Sequence, residues 1–222
     1  MTSEADNDAE FVVSHAERLV KHAVLCAMYF GLTEGAHRTI NEIDDVDSGW
    51  HQAAVGFGLS AEMATIVLVS ALLDSNREKP DVVSLQAMYH RLKRSDVQDS
   101  LIERYREHDE FANALDGIDT RGLIDRFLLT YRQIDFKDTH GRMKDLRDRG
   151  LVHILVQKHS SSFHFEELRT FVNQISELSE ILQRLCKTKT AANYGTTEEF
   201  RRYGQQLLYG KGAPEKPSQD EP

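Results

Sequence analysis

The first 213 residues contain a single proline, Pro80, and this near-absence restricts the fold more than any motif does. Proline inside a helix costs about 3 kcal/mol, so a body without it, rich in Leu, Ala, Glu and Arg, is free to form long helices. The apolar pattern agrees. Val12, Ala16, Leu19, Val20, Ala23, Ala27 and Phe30 recur at three- and four-residue steps, which predicts a first helix from Ala9 to Phe30. Gly31 and Gly35 then loosen the pattern, and a short helix from Ala36 to Ile43 is ambiguous. Residues 44–49 read as a loop.

Ser60 looks like an N-cap for the run Ala64–Leu73, which is apolar on nearly every side. Val and Ile would suit a strand, but no second strand is available to pair with it, so a central, surrounded helix is expected. Ser84 can cap a helix with Leu85, Met88, Tyr89 and Leu92 as its inward stripe. After Ser95 one helix is expected to carry Val97, Leu101, Ile102, Tyr105, Phe111 and Leu115. Another is marked by Leu123, Phe127, Leu128, Tyr131 and Ile134. The cleanest amphipathic pattern runs through Phe165, Leu168, Phe171, Val172, Ile175, Leu178, Leu182 and Leu185, and a shorter helix covers Thr197–Leu208. Residues 1–209 therefore read as one helical domain, and the polar, proline-rich residues 210–222 as a disordered tail.

Cys26 and Cys186 each sit on an apolar helical pattern, too few for a disulfide framework, and read as buried thiols of a reducing compartment. The acidic N-terminus lacks the basic start and apolar run of a signal peptide. The most apolar stretch, Met63–Leu73, falls short of the roughly 20 residues that span a bilayer. A cytoplasmic chain without a membrane partner is the expectation. The net charge of −9 argues against a protein that coats long nucleic acids, since phosphate neutralisation drives such binding.

One local exception to that charge carries the chemistry. From Lys137 to Arg149 there are five Lys or Arg against three Asp, plus His140. Arg147 is followed by polar Asp148 and, after five intervening residues in all, by His153. Leu146, Leu151, Val152, Ile154 and Leu155 would hold these groups on a packed backbone. Histidine exchanges a proton near neutral pH. Arginine binds phosphate through paired hydrogen bonds and stabilises charge that develops on it. Six steps along a straight helix leave Arg147 and His153 about 120° apart, so they share a face only if the backbone bends, as Gly150 would allow.

The string Leu146-Arg147-Asp148-Arg149-Gly150-Leu151-Val152-His153, an Arg and a His separated by a few residues of which the first is polar, resembles the HEPN superfamily. It is particularly similar to the abortive-infection AbiU-like branch. Ile66–Asp74 and Val83–Met88 also resemble that branch's central helices, and the likeness covers roughly Ala9 to Leu185. It implies an all-α, HEPN-like antiparallel helical bundle with additional helices. Two copies would pair as a homodimer with the motifs meeting in a cleft. Many members are metal-independent endoribonucleases of defence or toxin–antitoxin systems, so the resemblance implies an RNA substrate, a cognate antitoxin or defence partner, and no cofactor or metal.

Carried over, Arg147 would bind the scissile phosphate, His153 would be the acid or base, and Asp148 would orient one of them. Lys144 and Arg149, in the same basic run, would add substrate contacts. Some HEPN toxins carry a modifiable tyrosine two residues after the histidine, where this chain has Leu155. A non-catalytic HEPN module that binds a protein or nucleotide partner is the alternative. Elsewhere, His15 and His22 read as surface histidines, Trp50 as a core anchor, and Ser160–Ser162 as a loop and cap.

Overall fold

The computed structural model describes residues 3–43, 47–74, 83–114, 117–145, 147, 165–188 and 196–209. Among them the fold is all-α, with nine helices and no strand. These are α1 (Glu4–Glu42), α2 (Gly49–Leu73), α3 (Leu85–Leu92), α4 (Ser95–Arg104), α5 (Arg106–Ala114), α6 (Thr120–Arg132), α7 (Thr139–Asp145), α8 (Phe165–Cys186) and α9 (Thr196–Tyr209). The chain divides into two compact units, Met1–Cys26 with Ile66–Asn193, and Ala27–Thr65 with Tyr194–Pro222. Helices α1 and α2 contribute residues to both.

In the first unit, Ser3 and Asp6 open α1 with a reciprocal box. Asp6 donates its backbone N–H to the Ser3 hydroxyl (3.1 Å), and Ser3 donates its own to the Asp6 carboxylate (3.2 Å). From there Ala9, Val12, Ala16, Leu19, Val20 and Ala23 are buried at helical spacing. The principal helix pair is α6 with α8. Leu123, Ile124 and Phe127 of α6 and Leu168, Val172, Ile175, Leu178 and Leu182 of α8 are all buried, as their three- and four-residue spacing predicts. Ser84 caps α3 by accepting from the Ala87 N–H, again as expected, and Asp119 caps α6 through the Gly122 N–H.

Ion pairs hold the start of α1 to its neighbours: Asp8 meets Arg91 at 3.0 Å and Arg94 at 2.6 Å, and Glu10 meets Arg104 at 2.7 Å. The Arg91 guanidinium also lies over the Phe11 ring. Cys26 and Cys186 are free and buried, and burial pushes both thiols up to about 12, which leaves them unreactive at neutral pH. The single helix expected after Ser95 is in fact two. Tyr105 leaves the helical conformation (φ −110°, ψ 16°), and its ring lies beneath the Lys187 ammonium.

The second unit departs further from expectation. Gly31 and Gly35 do not end α1, which continues unbroken to Glu42. A Cβ on Gly31 would stand 2.4 Å from the Thr197 carbonyl oxygen, and one on Gly35 would stand 2.4 Å from that of Arg201. Gly204 of α9 is also tight, with the Leu32 carbonyl oxygen 2.9 Å from its would-be Cβ. Glycine weakens a helix by about 1 kcal/mol per residue, but here it lets α1 and α9 touch backbone to backbone. Around this contact Ala36, Ala54 and Leu208 form a small core with Ile40, Ile43 and Phe57.

Ser60 is no N-cap. It lies inside α2, and its hydroxyl donates to the Gly56 carbonyl (2.8 Å), satisfying itself on its own helix. Trp50 is not a core anchor either, being 61% exposed at the start of α2. Nor is α2 surrounded: Leu59 and Val67 are both exposed. Taken whole, α2 is long and apolar enough to cross a membrane by length and composition, so the length argument from Met63–Leu73 does not extend to it.

Candidate functional site

The basic run from Lys137 begins a short helix in the first unit. Met143 of α7 is fully buried and fixes that helix on the core, and His140, one turn earlier, is also buried. Residues 140, 144 and 147 stand at i, i+4 and i+7, the spacing that shares a helical face. Two cations of that series meet one carboxylate. Lys144 Nζ lies 3.7 Å from Asp74 Oδ1, and Arg147 Nη1 lies 3.8 Å from Asp74 Oδ2. Both separations are within ion-pair range and longer than a hydrogen bond. Asp74 itself follows directly on Leu73, the last residue of α2. A carboxylate there faces the negative end of the helix dipole, a position that cations must offset.

His140 is the third member. It is 8% exposed, and its ring stands edge-on to Phe136 and Phe171 with centroids 5.5 and 6.4 Å away. Its backbone N–H donates to the Asp135 carbonyl (3.1 Å), while the ring Nε2 is buried with no hydrogen-bond partner. Burial holds the imidazole below its usual range; Asp74 opposes this, and Lys144 and Arg147 reinforce it. The ring is therefore neutral at neutral pH and adds no third positive charge beside the two cations.

Arg142 belongs to the same run and behaves differently. It donates to Glu167 of α8 at 2.5 Å and 3.4 Å and lies 3.5 Å from Asp138. The Glu167 hydrogen bond holds its guanidinium more firmly protonated than usual. Arg142 is thus a cross-helix tie, whereas Lys144 makes no hydrogen bond to its carboxylate and has Asp74 as its one ion-pair partner among the described residues.

Of the residues singled out from sequence, Arg147 and Lys144 are brought together. Asp148, Arg149 and His153 lie outside the described residues, as do Ser160–Ser162 and the tail from 210. Among the described residues Arg147 faces Asp74, more than 70 positions away in sequence and not foreseen. His140 was visible only as one charge-neutral member of a basic run, although its i, i+4, i+7 relation to Lys144 and Arg147 is a stronger geometric signal than the Arg147–His153 spacing.

Other groups are spent on structure. His15 and His22 each donate Nδ1–H to the carbonyl four residues earlier in α1, at 2.9 and 2.7 Å. No group of three His, Cys, Asp or Glu side chains suited to a metal ion occurs among the described residues. A shallow hollow bounded by Arg104, Tyr105, Arg106, His108 and Lys187 has its arginines already paired, with Glu10 and Glu103. Set against known proteins, the chain matches no family model, no curated protein and no solved structure, so its chemistry rests on Asp74, His140, Lys144 and Arg147 themselves.

Proposed function

We propose that the protein is a metal-independent endoribonuclease of HEPN type, acting as a homodimer in bacterial defence or a toxin–antitoxin pair. The observation that carries this reading is the convergence of Lys144 and Arg147 on a single carboxylate. Two cations drawn to one anion supply the positive charge that the non-bridging oxygens of a phosphodiester would meet. The local excess of positive charge supplies the phosphate attraction that the chain as a whole, at −9, lacks.

In the reaction, the ribose 2′-oxygen attacks phosphorus and the bond to the 5′-oxygen breaks, leaving a 2′,3′-cyclic phosphate and a 5′-hydroxyl. A base takes the 2′-hydroxyl proton and an acid returns one to the leaving 5′-oxygen. Arg147 and Lys144 stabilise the negative charge on the phosphoryl oxygens. His153 of one or both copies is the proton carrier in this scheme, with Asp148 orienting it and Arg149 extending the phosphate contacts. No electrons are transferred, and the imidazole suffices for the protons.

The test is incubation with structured and unstructured RNA in EDTA, beside Arg147→Ala and His153→Ala. Wild type is expected to cut, and each variant to lose about 100-fold or more, the usual scale of an acid–base group. Cutting that survives both substitutions overturns the assignment. A second reading, a non-catalytic module that binds a protein or nucleotide partner, is favoured by one specific observation: Arg147 is about three-quarters buried and already faces Asp74. Absence of cleavage by every form selects that reading.

A further inference from the structure

We propose that Asp74 is the resident counter-ion of a two-cation phosphate site, and that a phosphate group displaces it from Lys144 and Arg147 on binding. The inference rests on the phosphate-binding reading of Arg147 and adds how that site is kept closed to weak anions. Asp74 would then act as an internal competitor: its carboxylate sets how strong a phosphate ligand must be to enter.

The distances separate two kinds of tie to a carboxylate. Arg142, in the same helix, is committed to Glu167 by hydrogen bonds. Lys144 and Arg147 stand 3.7 and 3.8 Å from Asp74, close enough for attraction and too far for a hydrogen bond between those atoms. Loosening such a pair gives up Coulomb energy and little directional bonding. Partly exposed pairs of this kind contribute little, so a phosphate ester offering charge-assisted hydrogen bonds is the stronger partner.

Asp74 also gains nothing from its own helix. It sits at the carboxyl end of α2, where a negative charge is disfavoured and no basic residue lies in the last turn. Its stable placement depends on the two cations of the α7 segment. When phosphate takes those cations, the carboxylate is released toward solvent, to which it is already one-third exposed. His140 supports the exchange by staying neutral. Its ring is packed against Phe136 of the α6–α7 turn and Phe171 of α8, and the charged groups acting on it are Asp74, Lys144 and Arg147. It therefore neither competes for the anion as a cation nor repels it as an anion.

The test uses the full chain and two probes: inorganic phosphate, and a fluorescent mixed-sequence oligodeoxynucleotide, which lacks the 2′-hydroxyl and so cannot be cut by the proposed chemistry. Binding is read by anisotropy for wild type, Asp74→Asn, Asp74→Ser, Asp74→Glu, Lys144→Gln and Arg147→Gln, with phosphate as competitor. Removing the internal anion is expected to tighten binding about fivefold in both Asp74→Asn and Asp74→Ser. Asp74→Glu keeps the charge and stays near wild type. Lys144→Gln and Arg147→Gln weaken binding, and the Asp74→Asn/Lys144→Gln double variant loses the gain. If the neutral variants bind no more tightly while Arg147→Gln still binds more weakly, Asp74 is a structural anchor and the displacement inference falls alone. If Arg147→Gln binds as wild type does, the phosphate reading of Arg147 falls with it. A far-ultraviolet dichroism melt confirms that each Asp74 variant is folded, and the serine form serves if the asparagine form is not.

Discussion

In the first unit α6 and α8 meet through Leu, Ile and Phe side chains that fill the space between them, whereas in the second α1 meets α9 through Gly31, Gly35 and Gly204, where side chains are missing. The two solutions respond to opposite changes. A side-chain core is damaged by deletion, because a cavity remains and contacts are lost. A backbone contact is damaged by addition, because there is no flexible group to move aside. Both units leave large apolar residues uncovered, Leu129 at 59% in the first and Trp50, Leu59 and Leu207 at 61%, 56% and 66% in the second.

The sharpest way to break this comparison is Gly35→Ala. Helix propensity alone favours the alanine by about 1 kcal/mol. The added methyl, however, would stand 2.4 Å from the Arg201 carbonyl oxygen, 3.0 Å from the Gln205 nitrogen and 3.0 Å from the Gly204 Cα, all backbone. Net destabilisation of about 1–3 kcal/mol, the usual cost of overpacking, is expected and is measured by urea denaturation. Stabilisation by the propensity amount would mean that α9 does not lie against α1 in this way.

This contrast also explains what the sequence made legible. Periodicity reports where apolar side chains recur, so the helices with filled faces (α6, α8 and the first half of α1) were readable from Leu, Ile, Val and Phe alone. A glycine contact leaves no apolar mark. Gly31 and Gly35 looked like the fraying end of a helix, because their effect on propensity is local and their packing partner lies some 170 residues away. Ser60 misled for a related reason: a hydroxyl bonded to its own helix at i−4 cannot be told from a cap by residue type.

At the candidate site the local half was readable and the long-range half was not. Arg147 and Lys144 were marked by the basic run, but Asp74 looked like the first residue of a polar link, since nothing local pairs it with cations. His140 carries no mark of its own within the basic run, although Arg147 and His153 do not share a straight helical face and His140, Lys144 and Arg147 do.

A smaller effect probes the buried charge balance of the first unit. Burial holds His140 below the ordinary imidazole value of 6.5 in the folded protein. Between the folded value and 6.5 the unfolded chain therefore binds more protons, so stability is complete above pH 6.5 and declines as pH falls through that interval. Thermal melts from about pH 8 to about pH 5 should show wild type losing more stability toward acid than His140→Phe does. Parallel pH slopes for the two proteins would show that His140 is as free to take a proton folded as unfolded.

The smallest expected effect sharpens the glycine side of the comparison. Gly56 lies in α2, within the same unit as Gly31 and Gly35, yet a Cβ built there meets nothing within 4 Å. With no steric cost, only backbone entropy remains, and Gly56→Ala should stabilise the protein by about 0.5–1 kcal/mol in the same urea titration. The sign is the point. One unit then holds helical glycines whose replacement by alanine acts in opposite directions, and the difference lies in whether a neighbouring backbone is present. If Gly56→Ala instead destabilises, this face of α2 is covered when the protein folds. The exposure of Leu59, one turn further on, would then mark a surface that is occupied in solution.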